Sequence, residues 1–318
     1  MIVVLGITGY IGRAFAQALR ERGWPYIGLS RRHLDYTRFD VLTRYLDDHR
    51  PQFLINVAGY TGKPNVDACE TAQADTLAGN TLLPMTVAQA CTAVGIPYGH
   101  VSSGCIFAGA RIGQDGQLTV ERDLTRPDLR ALADEHPESI HGFTELDTPN
   151  FTFRSPPCSF YSGSKALGEE AIAGLGHGYI WRLRIPFDEF DNPRNYLTKL
   201  LRYPRLYDNV NSISHRAEFA QACLELWGRR APFGIYNVTN PGFVTTRQVA
   251  DAIQRVLKPG HPFEFWASDE EFYRLGAKTP RSNCVMDCSK LLAAGVSIRP
   301  VEQALNESLE RWQWQAQS

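Results

Sequence analysis

The feature that most constrains this chain is a glycine-rich turn, Gly6-Ile-Thr-Gly9-Tyr-Ile-Gly12, set between a short apolar run at 2–5 and a helical pattern. Glycines at this spacing let the chain turn tightly. They also bring backbone N–H groups against a pyrophosphate, which then lies at the positive end of the helix dipole. Ile11, Ala14, Phe15, Ala18 and Leu19 recur at helical spacing as one buried face, and Gly23 is placed to end that helix in a left-handed cap. Alone, the turn would be a weak signal. Its setting is stronger, because further apolar runs at 26–29, 53–58, 98–101 and 179–185 alternate with helical stretches such as 82–93 and 166–173. That alternation predicts a parallel sheet covered on both faces, with a dinucleotide held by Gly6, Thr8, Gly9, Tyr10, Ile11 and Gly12.

The fold class expected is α/β: a Rossmann-type, doubly wound parallel sheet with a smaller, discontinuous C-terminal substrate domain. Residues 1–185 are expected to form the cofactor domain, joined by strands from about 206–240, with 186–318 mainly forming the substrate domain. Beyond Pro186 the alternation weakens, and helices are expected at 218–227, 247–257 and 301–314. The stretch 108–158 is the least regular and carries nine charged residues from Glu121 to Glu138. It reads first as a solvated surface insertion, with a lid or a subunit contact as the alternatives.

Composition narrows the partners. Lys plus Arg (33) nearly cancels Asp plus Glu (34), so the formal charge of −1 argues against a nucleic-acid or anionic-membrane partner. No apolar run is long enough to span a membrane, and the sequence enters its first strand without a signal-peptide pattern. Seven cysteines without paired CxxC spacing suit a reducing compartment, so the expected location is cytoplasmic. Cys284 and Cys288 lack a second pair or an HxxxH partner, and no metal site is expected.

At the end of the second predicted strand an NAD-preferring site would place an acid for the ribose 2′-OH. Here stand Ser30, Arg31 and Arg32, and a guanidinium fork suits a 2′-phosphate. NADP(H) is therefore favoured over NAD(H), with solvated surface charge as the bland alternative for the arginines. Further on, Tyr161-Ser-Gly-Ser-Lys165 places a phenol and an ammonium about one helical turn apart. A cation beside the phenol lowers its pKa and lets it exchange a proton with a substrate alcohol or ketone oxygen.

The glycine turn and YxxxK, in this order, resemble the extended short-chain dehydrogenase/reductase family, whose third catalytic member falls here on Ser103 in Val101-Ser-Ser-Gly-Cys-Ile-Phe107. Leu34-Asp35, Asn56-Val-Ala-Gly-Tyr-Thr61, Asn80, Pro280-Arg-Ser-Asn283 and Met286-Asp-Cys-Ser-Lys-Leu291 resemble the dTDP-4-dehydrorhamnose reductases. Longer matches resemble the bifunctional 3,5-epimerase/4-reductases that make nucleotide-linked rhamnose. These are Ala58-Gly-Tyr-Thr-Gly-Lys-Pro-Asn-Val-Asp67, Gly104-Cys-Ile-Phe107, Asp147-Thr-Pro-Asn-Phe-Thr152, Asn192-Pro-Arg-Asn-Tyr-Leu-Thr-Lys199 and Asn237-Val-Thr-Asn-Pro-Gly242. The segment 108–158 is longer than that family leads one to expect.

The resemblance implies an oxidoreductase that reduces a UDP- or dTDP-linked 4-keto-6-deoxyhexose at C4 with hydride from NADPH. Ser103 would bind the ketone oxygen, Tyr161 would deliver its proton, and Lys165 would hold the cofactor ribose and keep Tyr161 acidic. Asp35 would lie near the adenine, and Ala58, Gly59, Tyr60 and Asn80 would line the cofactor. Lys63, Asn65, Asn195 and Arg281 would meet the substrate, with Arg281 near the diphosphate. Cys105 and Lys199 match the positions that exchange the C3 and C5 hydrogens in the epimerase-reductases. Taken singly, each of those two also has a bland reading, as a buried apolar thiol or a surface charge. The 4,6-dehydratases of the wider family carry an Asp-Glu pair where this chain has Gly104 and Cys105, so dehydration is not expected. A homodimer is the family expectation. Two alternatives stay open: a 4-reductase without epimerase activity, and a cofactor-binding regulatory subunit.

Overall fold

Strand polarity along the sequence dictates the architecture. Ile2–Leu5 (β1), Tyr26–Leu29 (β2), Phe53–Asn56 (β3), Tyr98–Ser103 (β4), Gly178–Leu183 (β5) and Gly234–Asn237 (β6) form one six-stranded sheet in the order β2-β1-β3-β4-β5-β6. β1 pairs in parallel with both β2 and β3, and β3 with β4. A computed structural model provides this description for residues 1–63, 65–114 and 116–315. Helix Tyr10–Glu21 follows the glycine turn and ends as expected, with Gly23 at φ +64° and the Trp24 amide returning to the Leu19 carbonyl.

Two-residue alternation sends different chemistry to the two faces of the sheet. Val3, Leu5, Leu54 and Ile180 enter one core with Leu42 and Leu46 of helix Phe39–His49 and Leu83 and Val87 of helix Leu83–Val94. Their neighbours Phe53, Tyr179 and Trp181 build an aromatic layer on the other face. There Phe53 stacks on Trp227 at 4.3 Å, and Trp181 lies 5.7 Å from Tyr179 and 6.0 Å from Phe15. The sheet is thus apolar on both sides, as a doubly wound fold requires.

The chain divides into two compact units: Met1–Ile106, Pro149–Arg182 and Ala220–Tyr236 form the first, and Phe107–Thr148, Leu183–Phe219 and Asn237–Ser318 the second. A single cut near residue 185 therefore does not describe it. Residues 107–148 leave the first unit, and 220–236 return to it.

The second unit revises the reading of 108–158 as a solvated insertion. Ala110–Gln114 pairs antiparallel with Gln117–Glu121 and Ile140–His141, and helix Pro127–Glu135 closes over them. Ala110, Ile112, Leu124, Leu129 and Ile140 are buried together with Val210 and Val285, so the segment supplies part of this unit's core. Its charges crowd the outer surface and mask a helical apolar stripe. A second core joins Leu197 and Leu200 of helix Tyr196–Arg202 to Val249 and Ile253 of helix Thr246–Val256 and Leu305 of helix Val301–Glu310. That last helix ends four residues before the expected 314.

Trp181 is fully buried, and its indole N–H has no hydrogen-bond partner among the described residues. Its contribution is therefore packing. Trp181→Ala should cost about 3–5 kcal/mol and Trp181→Phe less than about 1.5 kcal/mol in urea unfolding. Equal losses would show that the indole nitrogen matters after all.

Candidate active site

The strand order reverses between β1 and β3, and in open α/β sheets ligands bind beyond the carboxyl ends of the strands at such a switch point. Two loops meet there. Gly6 has φ +79°, and a Cβ on it would stand 2.8 Å from the Ala58 amide; a Cβ on Gly12 would meet the Gly6 carbonyl at 2.3 Å. The turn is thus packed backbone to backbone against the segment after β3, and side chains at these positions would close the cradle.

A polar framework holds the second loop. The Asn56 side chain accepts from the Ala58 amide at 3.1 Å, which turns its amide nitrogen toward His100 Nδ1 at 3.2 Å. His100 Nδ1 is therefore the acceptor and Nε2 carries the proton. Burial, followed by the nearby Lys165 charge, holds this imidazole well below the usual histidine range, so it is neutral. Asn80 is 1% exposed and clamps Tyr60, accepting from its amide at 2.9 Å and donating to its carbonyl at 2.8 Å. Its remaining donor reaches the Ser164 hydroxyl at 3.1 Å. The side chain expected to line the cofactor thus holds the Tyr60 backbone in place.

The local distortion around Asn80 has a covalent cause. Pro84 has no N–H to give the Asn80 carbonyl four residues earlier, and the helix widens into a π turn over Ala78–Leu82. Helix Phe160–Ile172 passes close to this turn, where a Cβ on Gly168 would stand 2.1 Å from the Asn80 carbonyl.

That helix carries Tyr161 and Lys165. Its amino end is satisfied twice: the Ser159 hydroxyl accepts from the Ser162 amide at 3.1 Å, and the Glu70 carboxylate accepts from the Phe160 amide at 2.8 Å. Lys165 is buried and donates to the Val101 carbonyl at 3.1 Å. Burial pushes its ammonium below the usual lysine range, while Cys105 and Glu169 oppose that shift. Ser103, at the end of β4, accepts from the Cys105 amide at 3.2 Å, and Cys105 is 6% exposed. Ser103, Cys105, Tyr161 and Lys165 all belong to the first unit.

At the end of β2, Arg31, Arg32 and Asp35 are exposed. Ser30 Oγ lies 3.2 Å from His33 Nδ1, and Asp35 accepts from the Thr37 hydroxyl at 2.5 Å. Lys63 is exposed, and half-buried Asn65 caps the short turn Val66–Glu70 through the Asp67 amide at 2.9 Å.

Asn195, expected to meet the substrate, lies in the second unit. It is fully buried, caps helix Tyr196–Arg202 through the Leu197 amide at 3.0 Å, and donates to the Asp188 carboxylate at 2.7 Å and the Phe190 carbonyl at 2.8 Å. An amide so engaged is a structural cap. Lys199, on that helix, is held below the usual lysine range by burial and then by Arg194. Arg281 is half-buried in the same unit, its amide directed to the Tyr273 hydroxyl at 3.3 Å.

Sequence reasoning did not single out His100, Glu169 or Arg182, and Asn56 and Glu70 stood only within segments of the family resemblance, with no role given to them. Only Glu169 carried a local signal, lying one turn beyond Lys165 on the same helix face. A cavity of about 760 Å³ opens at the amino ends of the strands, lined by Trp24, Pro97, Tyr179, Trp227 and Phe233, and none of the expected site residues lines it.

Residues 1–314 match the family model described as the RmlD substrate binding domain. The chain belongs to this family. It is 29% identical over 304 residues to a bifunctional dTDP-4-dehydrorhamnose 3,5-epimerase/dTDP-4-dehydrorhamnose reductase of Arabidopsis thaliana, covering 95% of this chain and 90% of that protein. It is also 30% identical to a trifunctional UDP-glucose 4,6-dehydratase/3,5-epimerase/reductase of the same plant, spanning 95% of this chain but only 40% of that longer protein. Among solved structures, the UDP-rhamnose synthase of Acanthamoeba polyphaga mimivirus superposes with a TM-score of 0.81 at 22% identity, covering 98% of each chain. The dTDP-4-dehydrorhamnose reductase of Bacillus anthracis, solved with NADP, gives 0.73 at 21% identity over 98% of this chain and 97% of that one. Both solved structures share the fold seen here. Among the described residues no helix is long and apolar enough to cross a membrane, and no group of three or more His, Cys, Asp or Glu side chains is arranged to hold a metal.

Asn80→Ala should weaken NADPH binding about tenfold by releasing the Tyr60 backbone, even though the side chain need not touch the cofactor. Fluorescence titration of NADPH checks this, and unchanged affinity would separate Asn80 from the site.

Proposed function

We propose that this chain is an NADPH-dependent ketoreductase that acts at C4 of a nucleotide-diphosphate 4-keto-6-deoxyhexose and also epimerises C3 and C5, yielding nucleotide-linked rhamnose or a close relative. The observation that carries the reading is the pairing of the Tyr161–Lys165 helix with the strand end that bears Ser103, in the unit that also holds the glycine turn. The bifunctional Arabidopsis relative, at 29% identity over nearly the whole chain, supports the epimerase part.

The cradle fits a dinucleotide: bare glycine backbone at Gly6, Gly9 and Gly12, exposed Arg31 and Arg32 for a 2′-phosphate, and the Tyr60 backbone fixed by Asn80. When bound, NADPH supplies the hydride that reduces C4. Ser103 binds the ketone oxygen, Tyr161 gives it a proton, and the Lys165 cation lowers the cost of the resulting phenolate. Epimerisation is redox-neutral: a base removes a hydrogen alpha to the ketone, and an acid returns one to the opposite face. Cys105 and Lys199 take these roles, and a lysine with a depressed pKa is suited to accept a proton. In this reading the first unit binds the cofactor, and Lys63 and Arg281 are contacts of a UDP- or dTDP-linked substrate. The protein then works in the cytoplasm, where NADPH and nucleotide sugars are made.

The deciding experiment is NMR of the product formed from UDP- or dTDP-4-keto-6-deoxyglucose and NADPH in deuterated water, with no other epimerase present. Deuterium at both C3 and C5 of a rhamnose product is expected; reduction without it would make the protein a 4-reductase only. Tyr161→Phe should lower reduction by at least about 100-fold while NADPH still binds. Cys105→Ala should spare reduction of an already epimerised substrate at neutral pH. Arg31→Ala with Arg32→Ala should cut the preference for NADPH over NADH by about tenfold or more in competition binding.

A further inference from the structure

One helical turn beyond Lys165, Glu169 carries a buried carboxylate, 6% exposed. It accepts N–H bonds from Arg182 on β5 at 2.8, 3.1 and 3.2 Å and the Ser102 hydroxyl of β4 at 2.5 Å. Ser102 and Arg182 are each 2% exposed. Adjacent residues of β4 are therefore tied to the same helix face, Val101 through its carbonyl to Lys165 and Ser102 through its hydroxyl to Glu169. The next residue on that strand is Ser103.

A buried ion pair of this kind is seldom kept for stability, because apolar residues of similar volume often serve as well. Hydrocarbon could not place a fixed negative charge one turn from a buried ammonium, nor hold a strand to the helix by hydrogen bonds. We infer that Glu169 is a positioning residue for the reduction: through Ser102 and Arg182 it sets the register of the Tyr161–Lys165 helix against the strand bearing Ser103, and it holds a fixed negative charge beside Lys165. The inference rests on the ketoreductase reading above and assigns that site a supporting residue which does not touch the substrate.

The groups around Lys165 fix the expected sign. His100 on β4 is neutral, Cys105 in the turn after β4 and Glu169 on the same helix favour the ammonium, and burial opposes it. Ser102 and Arg182 face Glu169 itself. Loss of the Glu169 charge therefore deepens the depression of Lys165, so the ammonium is lost at lower pH, and with it the alkaline side of the activity profile.

The test follows the titration of Lys165 by NMR of the full-length protein carrying ¹³C-labelled lysine, with Lys165→Arg identifying the signal, alongside the pH profile of kcat/KM for ketone reduction. Because Glu169→Gln alone leaves the Arg182 guanidinium unbalanced in the interior, Glu169→Gln/Arg182→Met is made as well and both are checked for folding by circular dichroism. In Glu169→Gln, Lys165 should titrate about one pH unit lower than in wild type, and the alkaline limb should move with it; in the double variant, where the Arg182 charge is lost as well, the shift should keep this direction and be smaller. Ser102→Ala, which keeps every charge, should lower kcat several-fold without moving the limb. A folded variant with unchanged Lys165 titration would overturn the inference. Wild-type protein that reduces no 4-keto-6-deoxyhexose nucleotide would instead sink the functional reading, and the NMR titration would still decide whether Glu169 acts on Lys165.

Discussion

Lys165 takes a positive charge into the interior, and much of the first unit is arranged around that fact. Its ammonium reaches one carbonyl, that of Val101, and is opposed by burial. The surroundings compensate in kind: His100 gives up its proton, and the Glu169 carboxylate one turn away is held by Arg182 with a forked set of bonds. A buried cation cannot also be well hydrated, so the protein replaces water with fixed groups on the neighbouring strand and helix.

Close approach is the second constraint. Helix Phe160–Ile172 can serve Ser103 only if it lies tight against its neighbours, and its small residues permit this. Gly168 packs on the Asn80 carbonyl, at a carbonyl that Pro84 has already displaced from regular helix geometry. The same Asn80 side chain holds Tyr60 in the loop beside the glycine turn and the Ser164 hydroxyl on the catalytic helix. One buried amide thereby couples the loop after β3 to the helix of Tyr161.

Local pattern made much of this legible. The apolar strands, the glycine turn, the Gly23 cap, the YxxxK spacing and the arginines after β2 are short-range signals whose physical meaning does not depend on distant residues. The charged stretch 108–158 misled because charge density reports the solvent face of an element, whereas Ile112, Leu124 and Leu129 on the other face build the core. Asn195 and Asn80 hold backbone partners that the sequence did not reveal. An asparagine in a suggestive motif offers the same donors and acceptors to a substrate as to its own backbone, and the folded chain claimed them first.

The sequence by itself determined the alternating α/β order through its periodicity, and the family through ordered motifs that lie along most of the chain. Only the tertiary structure decided that residues 107–148 join the second unit, that Glu70 finishes the amino end of a helix ninety residues away, and that Ser102, Glu169 and Arg182 close into one buried network. Those partnerships link strands and helices far apart in the chain, and burial gives them their strength. Burial is a property that no local stretch of sequence carries.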